Sequence, residues 1–228
     1  MEEKRHTSLH YEKELQAIKD GLIYLGALTE TAIRKAMKSL SGRDTQLAHQ
    51  VVREDDAIDR LDTELEERCI KILALRQPAA IDLRFITTAI KITGHLERIG
   101  DMAVNIAEKV MRLNEEPQLK PYIDLPRMSE LVGEMIRDSL DSFIAGDLEK
   151  AEKVRRLEQV IDDLNEQIFR ELLTFMMEDS KNIHRALMVM QVSKNMERIA
   201  DHAKGIVDMV TYMVTGTCVR HQSCGGTT

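Results

Sequence analysis

A five-residue phrase occurs twice in this chain: Glu97, Arg98, Ile99, Gly100, Asp101 and, 100 residues later, Glu197, Arg198, Ile199, Ala200, Asp201. Each copy lies in a long stretch without proline whose apolar residues return every three or four positions. Leu96, Ile99, Ala103, Ile106, Val110 and Leu113 form the stripe around the first copy, and Met196, Ile199, Ala203, Ile206, Met209 and Met213 form it around the second. That is the period of an α-helix with one buried face, so both copies are helical. With Leu96 and Ile99 turned inward, Glu97 and Asp101 fall on the adjacent outer flank, four residues and roughly 6 Å of rise apart. Glu197 and Asp201 repeat the arrangement, and a carboxylate pair so spaced can approach one hard cation from one side.

The echo extends beyond the phrase. Ile136, Leu140, Asp147, Ala151 and Val154 follow Ile33, Met37, Asp44, Ala48 and Val51 at a separation of 103, and Ile161, Asp162 and Leu164 follow Ile58, Asp59 and Leu61 at the same separation. Gly146 has its glycine counterpart out of register, at Gly42. The offset falls to 100 at the phrase, so the second copy is three residues shorter in the turn before it. A repeat of this length is a duplicated domain, too long for a solenoid unit. Pro117, Pro121 and Pro126 cluster in a polar stretch between the copies and mark a connector over 114–126.

Composition decides what the copies are made of. Aromatics are 4%, Trp is absent, and 11 Gly and 4 Pro offer few turns for a β fold, whereas Leu, Glu, Ala, Arg, Lys and Met abound. The expected fold is all-α: two tandem, pseudo-symmetric three-helix bundles over 10–113 and 127–216. Helices are predicted over about 11–41, 45–76 and 81–113, then 127–145, 148–178 and 182–215. Gly42 is expected to close the first helix and Asp44 to cap the second. Residues 1 to about 9 read as a mobile leader and 217–228 as a flexible tail.

The net charge of -7 argues against nonspecific nucleic-acid binding, which needs a concentrated basic surface. No apolar signal segment opens the chain, and no run reaches the ~18 to 20 apolar residues that span a bilayer, so a soluble, cytoplasmic protein without direct membrane insertion is expected. Three cysteines, two of them in the tail, do not suggest a disulfide scaffold.

The middle helix of each bundle carries a further acidic pair, Asp55 and Asp59 in the first and Glu158 and Asp162 in the second. Packing each middle helix against the third helix of its bundle predicts two quartets: Asp55, Asp59, Glu97 and Asp101, and Glu158, Asp162, Glu197 and Asp201. Carboxylate oxygens suit Mg²⁺, Mn²⁺, Zn²⁺ or iron, and bridging carboxylates suit a multinuclear cluster. Converging carboxylates need a cation or a proton to compensate them. The same acids also fit a solvated flank on which Arg98 and Arg198 pair with neighbours. Asn105 can add an oxygen only in the first copy, since its counterpart is Gly205.

Little points to catalysis. There is no phosphate-cradling glycine loop, nucleophile elbow or Cys-x-x-Cys, and the one Glu-x-x-His spacing, Glu3 to His6, lies in the leader. His95 and His202 flank the phrases as outer ligands or surface residues, and His184 and Arg84 hold matching places as anchors of helix starts. Cys218, His221 and Cys224 have three-residue spacing but no fourth ligand. The 13 methionines, concentrated in the second half, suit irregular bundle cores or an adaptable partner surface.

The whole chain resembles the PhoU family of bacterial phosphate-signalling regulators. The resemblance rests on Asp82-Leu83-Arg84, on Glu97-Arg98-Ile99-Gly100-Asp101, on Glu197-Arg198-Ile199-Ala200-Asp201-His202 and on the closing Tyr212 and Gly216. It implies E/D-x-x-x-D motifs that bind iron or zinc clusters on the bundle surface, here Asp55 with Asp59, Glu97 with Asp101, Glu158 with Asp162 and Glu197 with Asp201. It also implies a cytoplasmic negative regulator without catalytic turnover, dimeric or larger. Such a regulator links the ATPase subunit of a phosphate ABC transporter to a phosphate-sensing histidine kinase. A metal-storage or buffering protein and a helical adaptor for a different membrane transporter are the alternative readings.

Overall fold

The apolar stripes become six long α-helices among the described residues of the computed structural model, which describes residues 2–217 and the side chains of residues 10–217. They are α1 (Glu2–Gly42), α2 (Thr45–Arg76), α3 (Ala80–Leu113), α4 (Asp124–Ala145), α5 (Leu148–Glu178) and α6 (Ile183–Thr215), with a 3₁₀ turn at Ser180–Asn182. Helices α1 to α3 pack on one another, as do α4 to α6, giving two tandem three-helix bundles. The bundles meet along α3 against α6 and α1 against α4. One continuous apolar core runs through both, from Leu22, Ile58 and Leu96 to Ile136, Ile161 and Met196. Helices α3 and α6 hold the central position, which is why their apolar faces include small residues such as Ala103, Ala107, Ala200 and Ala203, all fully buried.

The turns explain the register of the repeat. Asp44 accepts the Leu47 N–H at 2.9 Å, and Asp147 accepts those of Glu149 and Lys150 at 2.9 and 3.1 Å, so equivalent aspartates cap α2 and α5. The left-handed residue before each cap is Gly146, with φ 68°, in the second bundle and Arg43, with φ 52°, in the first. Gly42 is instead the last residue of α1, so the glycine mismatch in the alignment reflects a real substitution at the turn. A non-glycine there costs roughly 1–2 kcal/mol. The Arg43 guanidinium offsets this by donating to the Leu113, Asn114 and Glu116 carbonyls at 3.4, 2.9 and 2.5 Å.

Two boundaries differ from expectation. Helix α1 continues back to Glu2 through the expected leader, because no Gly or Pro precedes Gly21. Helix α4 begins at Asp124, inside the expected connector. Pro126 sits in its first turn, where no intrahelical N–H bond is required. Cys218, His221 and Cys224 lie outside the described residues.

Candidate functional site

Burial of the α3 stripe turns the first phrase outward as its period requires. Leu96 and Ile99 are fully buried, whereas Glu97 and Asp101 are partly exposed on the flank that meets α2. Gly100 allows the close approach: a Cβ there would lie 3.1 Å from Asp55 Oδ1 and from Ile58. Asp55 is half-buried by this contact, and burial, then Asp59, Asp101 and Glu97, push its carboxyl up to about 6. Asp59 is raised by burial, then by Asp101, Asp56 and Asp62. Glu97 is raised by burial and Asp101, with Arg98 acting the other way. Arg98 is the nearby cation, with Nε 3.4 Å from Glu97 and Nη1 3.4 Å from Asp101, and it is largely exposed.

Asp62 joins this cluster from one turn further along α2, bearing on both Asp59 and Glu97. Its Oδ1 is buried without a hydrogen-bond partner. The spacing of three from Asp59 was a usable signal, but the counterpart of Asp62 is Asn165, so the duplication that singled out the other four acids passes it over.

The second quartet is partly compensated from within. Glu158 is only 7% exposed, and Lys204 Nζ donates to its Oε1 at 2.7 Å. Lys194 Nζ lies 2.6 Å from the Glu197 carboxylate. Asp162 is raised by burial, Glu158, Glu197 and Asp201, and Asp201 by burial, Glu197 and Glu158, in both cases against the pull of Lys204. Lys204 stands where the first repeat has Val104, one turn beyond the phrase, and attention to shared acids alone misses it.

The chemistry of the donors fits a hard or borderline cation at the first quartet. They are all oxygens and they repel one another. The fit is poorer at the second, where two lysines already provide positive charge. Among the described residues, no three His, Cys, Asp or Glu side chains are arranged to hold a metal ion. Both quartets are therefore charge clusters as they stand, and an ion would have to draw their side chains together.

The histidines depart from expectation. His95 and His202 face each other across the α3–α6 seam, Nδ1 to Nδ1 at 3.0 Å with rings edge to face. Burial lowers His202, and Gly205 makes room for His95, since a Cβ there would come within 2.6 Å of the ring. The missing counterpart of Asn105 thus serves packing between the bundles. His184 does anchor the start of α6, 2.7 Å from the Glu116 carboxylate, whereas Arg84 lies against Gly216 at the far end of α6. Cys69 is fully buried, with its thiol pushed up to about 11, which removes it from thiolate chemistry. Most of the second-half methionines pack in or against the core, but Met177 is 87% exposed.

The PhoU domain family profile matches residues 22–110 and again residues 125–210, one match per bundle. The phosphate-specific transport system accessory protein PhoU homolog of Aquifex aeolicus is 44% identical over 210 residues, covering 92% of this chain and 95% of that protein. The homolog from Pseudomonas putida is 39% identical over 217 residues, covering 95% of this chain and 85% of its own. Among solved structures, PhoU from Pseudomonas aeruginosa superposes with a TM-score of 0.86 at 36% identity, covering 91% of this chain and 100% of that one. The phosphate transport system regulatory protein PhoU from Streptococcus pneumoniae gives 0.84 at 26% identity, covering 92% and 99%.

Proposed function

This chain belongs to the PhoU family of non-catalytic phosphate-signalling regulators, and from that premise we propose that it restrains the phosphate-starvation response as a scaffold. It would bring the ATPase subunit of a phosphate ABC transporter together with a phosphate-sensing histidine kinase at the cytoplasmic face of the membrane. The observation that supports this most is coverage: relatives named as accessory proteins of phosphate-specific transport align with both bundles and over nearly their whole lengths. Long rigid helices presenting separate flanks from two fused bundles suit simultaneous contact with two partners. Among the described residues, no helix is long and apolar enough to cross a membrane, so such contacts would be made from its surface.

The carboxylate quartets belong to the same proposal as iron or zinc sites. Asp55, Asp59, Glu97 and Asp101, joined by Asp62, would hold metal in the first bundle, and Glu158, Asp162, Glu197 and Asp201 in the second. The metal would supply positive charge that ties α2 to α3, or α5 to α6, and replaces mutual repulsion with attraction. Calcium or magnesium would compete for the same oxygens, so occupancy after purification from iron- and zinc-replete cells, read by plasma mass spectrometry, tests identity.

The signalling role is tested by affinity co-purification from the native host in abundant phosphate and after starvation, with crosslinking. Recovery of the transporter ATPase and a sensor kinase in phosphate-dependent amounts is the expected result. Recovery of neither under any condition would overturn the scaffold reading and leave metal buffering as the stronger one.

A further inference from the structure

The two bundles differ in one respect that charge clusters do not explain. Between α5 and α6 runs an open groove of about 500 Å³, apolar at one end and acidic at the other. Phe169, Leu187 and Met190 line the apolar end, and Asp162, Glu166 and Glu197 line the acidic end. Phe169 and Leu187 are 47% and 46% exposed, and exposed Leu173 and Met177 continue the apolar strip along α5. At the matching places of the first bundle stand Glu66 and Thr87. The duplicated framework therefore carries polar residues at these two places in one copy and large apolar ones in the other, so the fold itself does not require Phe169 and Leu187, whereas Leu173 and Met190 keep apolar counterparts in Ile70 and Ile90.

The shape and charge of the groove specify an occupant. A furrow between two antiparallel helices receives a third helix ridge into groove, as bundles do internally. Phe169 and Asp162 are seven residues apart on α5, roughly 10 Å along the axis. A helix lying in the groove with apolar side chains against Phe169 and Leu187 would place its residue two turns onward beside Asp162 and Glu197. Lys194 already pairs with Glu197 and Arg170 with Glu166, but Asp162 is close to Glu158, Glu197 and Asp201, with Lys204 acting against them. A cation on the incoming helix would meet a surplus of carboxylate there.

We propose that the α5–α6 groove seats an amphipathic helix of a partner protein bearing apolar residues at i and i+4 and a Lys or Arg at about i+7. This inference rests on the reading of the chain as a docking protein, but not on phosphate, on a kinase or on bound metal. Because Asp162 and Glu197 belong both to the groove and to the second quartet, a bound basic side chain and a bound metal ion compete for the same oxygens.

The test uses the full chain and a displayed library of helical peptides, followed by fluorescence anisotropy with the recovered peptides. The expected consensus has the apolar pair and a basic residue two turns on. Binding should weaken at least tenfold in the double variant Phe169→Glu, Leu187→Thr, which installs the residues of the first bundle at exposed positions. Glu166→Arg, also exposed, should weaken the same peptides several-fold and serves if the double variant does not fold. A consensus without a basic residue, binders insensitive to these variants, or no binders would overturn the proposal. So would a dimer in sedimentation velocity that the double variant dissociates, because the occupant would then be a second copy of this chain. Failure of co-purification in the host with groove binding intact would count against the phosphate-signalling reading alone.

Discussion

The two carboxylate quartets occupy equivalent places in equivalent bundles, yet they solve the problem of crowded negative charge differently. In the first, Asp101 and Asp62 crowd Asp55, Asp59 and Glu97, the proton affinity of these three rises, as it does for Asp162 and Asp201 in the second, and the facing cation is one exposed arginine. In the second, Lys204 and Lys194 supply the positive charge, and Glu158 is buried deeply because Lys204 reaches it. A duplicated backbone thus fixes where acids stand but not what compensates them. Two side chains, Lys204 in place of Val104 and Lys194 in place of Gly94, separate a cluster faced by one exposed arginine from one that holds two lysines.

The largest effect that sharpens this contrast is metal binding. Zinc or ferrous iron at about 100 times its dissociation constant should stabilise the wild type by about 2.7 kcal/mol, seen as a rise in Tm. Asp55→Asn with Asp59→Asn should remove most of that rise, whereas Glu158→Gln should remove less. Equal losses from both bundles would show that the lysines do not matter.

Lys204→Val gives the second bundle the residue of the first. It leaves the buried Glu158 carboxylate without its donor, and since Lys204 is itself partly exposed, a loss of about 2 kcal/mol in urea unfolding is expected. The same variant should gain a metal-induced rise in Tm comparable to that of the first quartet. Loss of stability without that gain would break the equivalence of the sites.

A smaller effect has opposite signs in the two bundles. Asp55 holds its proton more tightly folded than unfolded. Between 3.8 and about 6 the native state therefore binds more protons, and the contribution of this group to stability falls as pH rises through that window. Asp55→Asn should raise stability at pH 7 in the metal-free protein by on the order of 1 kcal/mol, allowing for solvent screening, and flatten that part of the pH profile. Glu158→Gln should lower stability at pH 7, because it removes the partner of Lys204. The smallest effect is expected for Gly100→Ala, which installs the residue found at position 200. The helix gain of up to ~1 kcal/mol is set against contacts with Asp55 and Ile58, for a net change within about 0.5 kcal/mol by chemical denaturation.

Much of the molecule was legible in advance because helices announce themselves locally. Asp44 and Asp147 are visible as caps, and the stripes around Leu96 and Met196 are visible as core. The eight acids were found because the duplication repeated their positions. Asp62 and Lys204 escaped because neither is duplicated. The His95–His202 contact escaped because no spacing in one chain segment tells which helices of two bundles will face each other. Arg43 in the left-handed turn position was hidden for a related reason: its compensating carbonyls lie about 70 residues away, at the end of α3 and the start of the connector.

Sequence alone determined the helices, their caps and the duplicated three-helix plan, since all of these follow from periodicity and short-range hydrogen bonding. Only the tertiary structure decided that α3 and α6 form the seam, that two histidines meet across it, and that one acidic cluster is faced by a single exposed arginine while the other holds two lysines. Those outcomes depend on which faces meet and how closely, and the energy of a charge is set by neighbours brought within a few ångströms by packing rather than by neighbours in the chain.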